Sequence, residues 1–100
     1  MKYNKLVRDK IPEYIISKGG KPLFHVADEV TYWQKLKEKL LEEVNEFIKD
    51  ENAEELADIE EVLEAIRAHK RFELSEIKTI QEQKAAERGK FKERIILDES

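Results

Sequence analysis

Apolar residues recur every three or four positions through residues 28–49 and 53–70, and this spacing limits the fold more than any other feature. Because an α-helix turns once in about 3.6 residues, such spacing places apolar side chains on one helix face. Asp28 and Asn52 stand just before the two stretches, where each side chain can cap a helix N-terminus. Only a short turn at residues 50–52 separates them, which predicts two antiparallel helices packed side by side.

Two further helices are expected beside this hairpin. Residues 9–18 form a short one, because Pro12 is tolerated in a first turn and the glycine pair at 19–20 ends the helix. Residues 74–88 form another, which Gly89 ends. The apolar residues of the tail at 91–97 are expected to pack as an extended segment. The predicted fold is all-α, an antiparallel bundle of four main helices in a single domain spanning residues 1–100.

The composition fits this fold and excludes several classes of protein. The chain has 100 residues, of which 42% are charged, and it contains only three glycines and no cysteine. Disulfides, thiol nucleophiles and cysteine-based zinc sites are therefore excluded. Because no apolar run approaches the roughly 18 residues of a membrane span, and the first residues lack a signal-peptide pattern, we expect a cytoplasmic protein. A chain this short buries only about 60–65% of its unfolded surface, so we expect oligomerisation to complete the core.

Charge is distributed very unevenly along the chain. Residues 38–64 carry twelve acidic and two basic side chains, whereas the rest carries eleven acidic and seventeen basic ones. An anionic centre between cationic flanks disfavours nucleic-acid wrapping, which needs a basic stripe. It suits a site where carboxylates hold metal cations and Lys or Arg side chains reach a bound phosphate. The alternative is a Glu-rich pair of helices that is simply solvated.

Two pairs of acidic residues stand at helical spacing in this anionic region. Glu43 and Glu46 share a face of the first long helix, and Glu55 and Asp58 share a face of the second. At about 100° per residue, Glu55 falls inside the apolar sector and Asp58 on its edge. On the other helix, Glu43 touches the border of the apolar sector and Glu46 lies further out. Converging carboxylates need cations, and Mg²⁺ or Mn²⁺ prefers oxygen ligands. A capping box with Asn52 is another explanation for Glu55, although it does not explain Asp58.

Basic residues cluster near both ends of the chain, where they are candidate phosphate ligands: Lys5, Arg8 and Lys10, and then Lys84, Arg88 and Arg94. Arginine binds phosphate with two parallel hydrogen bonds and lysine as a point charge. His25 and His69 have no partner at metal-ligand spacing, so we interpret them as packing or surface residues. Trp33 stands at helical spacing, which is typical of a core residue. The chain has no Gly-rich phosphate-binding loop.

The acidic run from Glu42 to Asp58 resembles the signature of the all-α nucleoside triphosphate pyrophosphohydrolases. This superfamily includes MazG-type enzymes, dimeric dUTPases and phosphoribosyl-ATP pyrophosphohydrolase. Motifs at both ends look like a small MazG-like branch that is often labelled phosphoribosyl-ATP pyrophosphohydrolase-like: Lys5-Leu6-Val7-Arg8-Asp9-Lys10-Ile11-Pro12, and Lys84-x-x-Glu87-Arg88-Gly89-x-Phe91-x-x-Arg94-Ile95-Ile96-Leu97. The resemblance covers residues 5–97. It departs from MazG itself in the short spacing of eight residues between Glu46 and Glu55.

The resemblance implies Mg²⁺-dependent cleavage of a nucleotide between its α- and β-phosphates, with Mn²⁺ as an alternative metal. The products are a nucleoside monophosphate and pyrophosphate. The positions that match the family's metal ligands are Glu43, Glu46, Glu55 and Asp58. The expected catalytic residues are Glu42, Glu43 and Glu46, where Glu42 binds a second metal or orients water. The expected phosphate-binding residues are Lys84 and Arg88, then Arg8 and Lys10. The family's helical bundle is completed by association, which implies a homodimer or homotetramer.

Two alternatives remain open at the level of sequence. The first is hydrolysis of phosphoribosyl-ATP. The family label suggests this substrate, but no residue of the sequence indicates it. The second is a non-catalytic helical dimerisation module whose acidic stripe serves only solubility. Inward-facing acids at Glu55 and Asp58 argue against the second, because a plain bundle places apolar residues at such positions.

Overall fold

The computed structural model describes residues 3–100, which form four helices and no strand. The helices are α1 (Ile11–Ser17), α2 (Glu29–Asp50), α3 (Ala53–Lys70) and α4 (Leu74–Arg88). The prediction of an all-α fold is therefore confirmed, and each observed helix end lies within two residues of its predicted position. Within the described part of the chain, no helix is long and apolar enough to cross a membrane.

Side-chain caps fix the starts of the two long helices. Asp28 Oδ1 accepts a hydrogen bond of 2.8 Å from the backbone N–H of Thr31, and Asn52 Oδ1 accepts one of 2.9 Å from that of Glu55. Each cap satisfies a backbone donor that has no partner inside its helix. The α2 helix ends at Asp50. Glu51 follows it with a φ of 47°, in the left-handed region, so the chain reverses at once into α3.

The α2 and α3 helices form an antiparallel hairpin. Trp33 near the start of α2 stacks on His69 near the end of α3, with 5.3 Å between the ring centroids. The two helices therefore run in opposite directions, as the short turn predicts. Leu36 of α2, at 1% exposure, and Val62 of α3, at 8%, are the only buried residues of the described chain. Trp33 and His69 are half-buried, so both act as packing residues at the open end of the hairpin.

Beyond the hairpin the chain is extended. Its radius of gyration is 17.9 Å, against about 13 Å for a compact domain of this length. Among the described elements, only α2 and α3 pack along each other. Leu74 and Ile80 of α4 are about half exposed, although their spacing predicts an inward face. The tail at 91–97 is also exposed rather than packed, with Phe91 at 97% and Ile96 at 80% exposure.

An N-terminal segment, residues 4–9, crosses the hairpin and is here called the strap. Lys35 on α2 donates a hydrogen bond of 2.8 Å to the backbone oxygen of Asn4. Lys5 then contacts α2 at Glu42, and Arg8 contacts α3 at Asp58. The strap is thus tied to both helices of the hairpin, and α1 follows it.

Candidate metal centre

Three carboxylates from the two long helices converge on one point, and they are called the triad below. Oxygens of Glu43 on α2 and of Glu55 and Asp58 on α3 all lie within 4.8 Å of one another. All three residues are half-buried. The antiparallel pairing produces this arrangement, because it places the second half of α2 beside the first half of α3. The sequence predicts that these residues meet, and the structure brings them together.

The donor set and its dimensions fit a small divalent cation. All three donors are carboxylate oxygens, which hard cations such as Mg²⁺ prefer. At a ligand distance of about 2.1 Å, neighbouring oxygens of an octahedral Mg²⁺ shell lie about 3 Å apart and opposite ones about 4.2 Å apart. Oxygens already within 4.8 Å of one another therefore need only small side-chain rotations to share a cation.

Glu46, the fourth predicted ligand, lies in a neighbouring group rather than in the triad. Oxygens of Glu46, Asp50 and Glu55 are also within 4.8 Å of one another, so Glu55 belongs to both groups. Glu46 and Asp50 are exposed, which agrees with the outward position of Glu46 on the helical wheel. Asp50 is not among the predicted site residues, although its spacing of four residues from Glu46 puts both on one helix face.

Glu55 experiences the charge of both groups. Its partial burial, followed by the negative charge of Asp58, raises the pKa of the Glu55 carboxyl above its ordinary value of 4.5. The other three acids of the two groups add smaller contributions in the same direction. The cap with Asn52 uses the backbone N–H of Glu55 and leaves its carboxylate with the triad. Capping therefore explains where α3 starts and does not account for the position of this carboxylate.

Lysine side chains compensate the acidic end of α2. Lys39 Nζ lies 3.2 Å from Glu42 Oε2 and 3.3 Å from Glu43 Oε1, and it is only 17% exposed. Lys5 Nζ of the strap lies 2.7 Å from Glu42 Oε1. The hydrogen bond from Lys5 lowers the pKa of Glu42, and the same bond raises the pKa of Lys5. Glu42 is therefore held between two cations, whereas Glu43 pairs with Lys39 and also belongs to the triad.

Arg8 of the strap binds the acids of α3. Its Nη2 lies 2.8 Å from Asp58 Oδ1, and its Nη1 lies 3.6 Å from Glu61 Oε1. This predicted phosphate ligand therefore stands directly beside the triad. A guanidinium so placed can contact an anion that approaches Asp58, since arginine offers five N–H donors in a planar fork.

In the described part of the chain, no ion pair joins the other predicted phosphate ligands to the triad. Lys10 is an exposed residue at the start of α1. Lys84 and Arg88 are exposed on α4, which does not pack along the hairpin. Among the described residues, Lys5, Arg8 and Lys39 are the cations that pair with Glu42, Glu43 and Asp58. Lys39 and Glu61 were not selected from the sequence, although each stands three or four residues from a selected acid on the same helix.

A cavity of about 560 Å³ lies between the strap and the hairpin. Glu43 and Asp58 of the triad line this cavity, and Glu55 does not. Comparisons with known protein families, with curated proteins and with solved structures found no match to this chain. The interpretation of the site therefore rests on its own geometry and on the motifs of the sequence.

Proposed function

We propose that the chain is a Mg²⁺-dependent nucleoside triphosphate pyrophosphohydrolase of the MazG-like, all-α class. The observation that carries this proposal is the triad, in which two helices bring three carboxylate oxygens within 4.8 Å of one another. In the proposed reaction water adds across the anhydride between the α- and β-phosphates. The P–O bond breaks, and pyrophosphate leaves with the bonding electron pair.

The acidic and the basic residues of the site have different proposed roles. Glu43, Glu55 and Asp58 would hold the metal, which when bound supplies Lewis acidity to the phosphoryl oxygens. Arg8 and Lys5 would neutralise charge on the departing pyrophosphate, because both stand on the strap beside the acidic residues. Their ion pairs with Asp58 and Glu42 are about half exposed and therefore weak enough to exchange for phosphate oxygens.

The first experiment measures pyrophosphate and phosphate separately. The purified protein is incubated with a panel of nucleoside triphosphates and with phosphoribosyl-ATP, in Mg²⁺ or in EDTA. Release of pyrophosphate that requires Mg²⁺ is expected. Turnover of phosphoribosyl-ATP in preference to every ordinary nucleotide would assign the narrower biosynthetic activity instead. Release of phosphate alone would show cleavage at the γ-phosphate and contradict the proposed reaction.

The active form is proposed to be a homodimer or homotetramer. Among residues 3–100 only Leu36 and Val62 are buried, and apolar side chains of α4 and the tail are exposed to solvent. Exposed apolar area of this extent is typical of surfaces that a partner covers. A second copy of the chain is the partner that we propose for these surfaces.

A non-catalytic association module is the second candidate, and the same exposed apolar surface favours it. It predicts an oligomer with no nucleotide turnover and no effect of Mg²⁺ on the melting temperature. The pyrophosphohydrolase instead predicts a higher melting temperature in Mg²⁺, because a ligand that binds only the folded state stabilises it. Melting curves in Mg²⁺, and in NaCl of equal ionic strength, separate the two candidates.

A further inference from the structure

The polar contacts between the strap and α3 all come from one side chain. Arg8 donates a hydrogen bond of 2.8 Å to Asp58 Oδ1, and its Nη1 lies 3.6 Å from Glu61 Oε1. Asn4 and Lys5 make their polar contacts with α2 instead. Among residues 3–100, no other hydrogen bond or ion pair joins the strap to α3. The polar attachment of the strap to α3 therefore depends on Arg8.

The strap also lies across the proposed metal site. Residues 5–9 line the cavity on the side of the strap, and Glu43 and Asp58 line it from the two long helices. The contact between Arg8 and Asp58 therefore spans the α3 side of this cavity. Asp58 is at the same time a member of the triad. One carboxylate thus both fastens the strap and belongs to the group that would hold the metal.

A divalent cation on the triad would compete with Arg8 for Asp58. Both are positively charged and both use the same carboxylate, so each weakens the binding of the other, and this coupling is reciprocal. The side chain of Arg8 is 56% exposed and that of Asp58 is 41% exposed. An ion pair this exposed is weak, because water competes for both partners. A divalent cation can therefore displace the guanidinium.

We propose that the strap is an autoinhibitory lid, which a divalent cation opens. Arg8 holds the lid closed on Asp58, and a cation that binds the triad releases the α3 side. The hydrogen bonds with Lys35 and Glu42 keep the lid attached to α2. The inference rests on the proposed function, because the cation is the one that this function requires. Once Arg8 is released from Asp58, its N–H donors are free to bind an approaching anion.

The first test measures Mg²⁺ affinity by titration calorimetry without nucleotide. Arg8→Gln removes the competing charge, so we expect Mg²⁺ to bind about two- to fivefold more tightly than in wild type, which corresponds to about 0.4–1 kcal/mol. Loss of a residue that only supports the site would weaken binding instead. Arg8→Lys keeps the charge and is expected to bind Mg²⁺ nearly as wild type does. Unchanged or weaker binding in Arg8→Gln would overturn the inference.

Lys10→Gln is the matched control for this test. It removes one positive charge at an exposed lysine that pairs with no acid among the described residues. At physiological salt, where distant charges are screened, its Mg²⁺ affinity is expected to stay close to that of wild type. A gain equal to that of Arg8→Gln would show an effect of net charge and contradict the lid.

A second test follows the strap itself. The chain has no cysteine, so Leu6→Cys places a single thiol where the strap lines the cavity. We expect Mg²⁺ to raise the rate at which this thiol reacts with a thiol reagent by at least about twofold, compared with NaCl of equal ionic strength. Ser75→Cys, at an exposed residue of α4, controls for effects on the reagent. A rate that Mg²⁺ lowers or leaves unchanged at Leu6→Cys would contradict the opening of the lid.

The proposed function and this inference can fail separately. If the wild-type protein binds Mg²⁺ and releases no pyrophosphate, the function fails, and the affinities and labelling rates still decide the lid. If pyrophosphate is released and Arg8→Gln binds Mg²⁺ no more tightly, the lid fails and the function stands. A wild-type protein that binds no Mg²⁺ contradicts both.

Discussion

At the scale of single residues, Asp58 links the two halves of the proposed site. Its carboxylate belongs to the triad with Glu43 and Glu55, and one of its oxygens accepts a hydrogen bond from Arg8. The carboxylate therefore lies between the proposed metal and a cation from another part of the chain. Because loss of its charge removes both interactions at once, Asp58 is the most informative position for substitution.

We expect Asp58→Asn and Glu43→Gln each to reduce pyrophosphate release by at least about 100-fold. A metal ligand supports several kcal/mol of charge stabilisation in the transition state, and about 2.7 kcal/mol corresponds to that factor. Both changes nearly conserve side-chain volume, so the helical circular dichroism signal is expected to persist. Glu64→Gln, at an exposed acid of α3, is the matched control and retains activity. Full activity in either triad variant would contradict the assignment.

The ion pair between Lys5 and Glu42 has a pH dependence whose sign follows from the two shifted pKa values. The pKa of Glu42 lies below 4.5 in the folded protein, so the pair stabilises the fold above that pH and is lost as pH falls through the lowered value. The pKa of Lys5 lies above 10.5, so the same contribution is also lost as pH rises through that value.

A double-mutant cycle with Lys5→Gln and Glu42→Gln measures this pair. Both side chains are about one-third to one-half exposed, so we expect a coupling free energy of about 0.2–1 kcal/mol near neutral pH. Urea unfolding repeated in acid, below the pKa of Glu42, is expected to show no coupling. Lys10→Gln, at an exposed lysine of the same basic cluster, controls for the loss of one charge. A coupling that persisted in acid would be inconsistent with an ionic interaction.

At the scale of helices, the start of α3 depends on a single side chain. Asn52→Ala removes the acceptor for the Glu55 N–H and is expected to cost about 1 kcal/mol. For a domain of this size, that corresponds to a melting temperature lower by about 4–8 °C. Asn52→Asp keeps an acceptor and should retain most of the stability. Asn45→Ala, in the middle of α2, is expected to leave the melting temperature nearly unchanged or slightly higher.

The sequence predicted the helices well because their boundaries are local. Asp28, Asn52 and Gly89 act within one turn of the chain, so their effects can be inferred without knowing the fold. The meeting of Glu43 with Glu55 and Asp58 was also predictable, since a short turn leaves the two helices only one way to pack. The contacts of the strap could not be predicted from spacing. These contacts join residues that lie 37 and 50 positions apart, and the periodicity of apolar residues does not indicate which distant residues pair.

The packing of α4 was not predictable for a different reason. Leu74, Ile77 and Ile80 repeat at helical spacing, which indicates an apolar face and does not indicate what covers that face. In the single chain Leu74 and Ile80 remain about half exposed. The pattern predicts that this apolar face is buried, but no other element of the described fold packs along it. The same argument applies to Ile95, Ile96 and Leu97 in the tail.

At the scale of the whole molecule, the extended shape predicts that stability depends on protein concentration. If copies of the chain cover the exposed apolar surfaces, association stabilises the folded state by mass action. We expect the melting temperature to rise as the protein concentration is increased, and light scattering to show a dimer or tetramer. A concentration-independent melting temperature together with a monomeric mass would contradict the proposed assembly.

Ile96→Asp tests whether the tail contributes to this assembly. Ile96 is 80% exposed in the single chain, so the change costs little unless another copy covers it. We expect a weaker oligomer and a lower melting temperature. Ser100→Asp adds the same charge to the tail at a polar position and should leave the oligomer intact. Equal behaviour of the two variants would show that the tail lies outside the interface.

The strap also has a consequence for the order in which the chain folds. The hairpin is built from neighbouring segments, so the loop that must close to form it is short. The contacts of Lys5 and Arg8 span 37 and 50 residues, and Arg8 requires α3 to be already in place to present Asp58. The strap is synthesised before the hairpin, but it docks after the hairpin has formed. Until α3 has emerged from the ribosome, the acidic residues that bind Arg8 cannot contact it, and the cavity has only one of its helical walls.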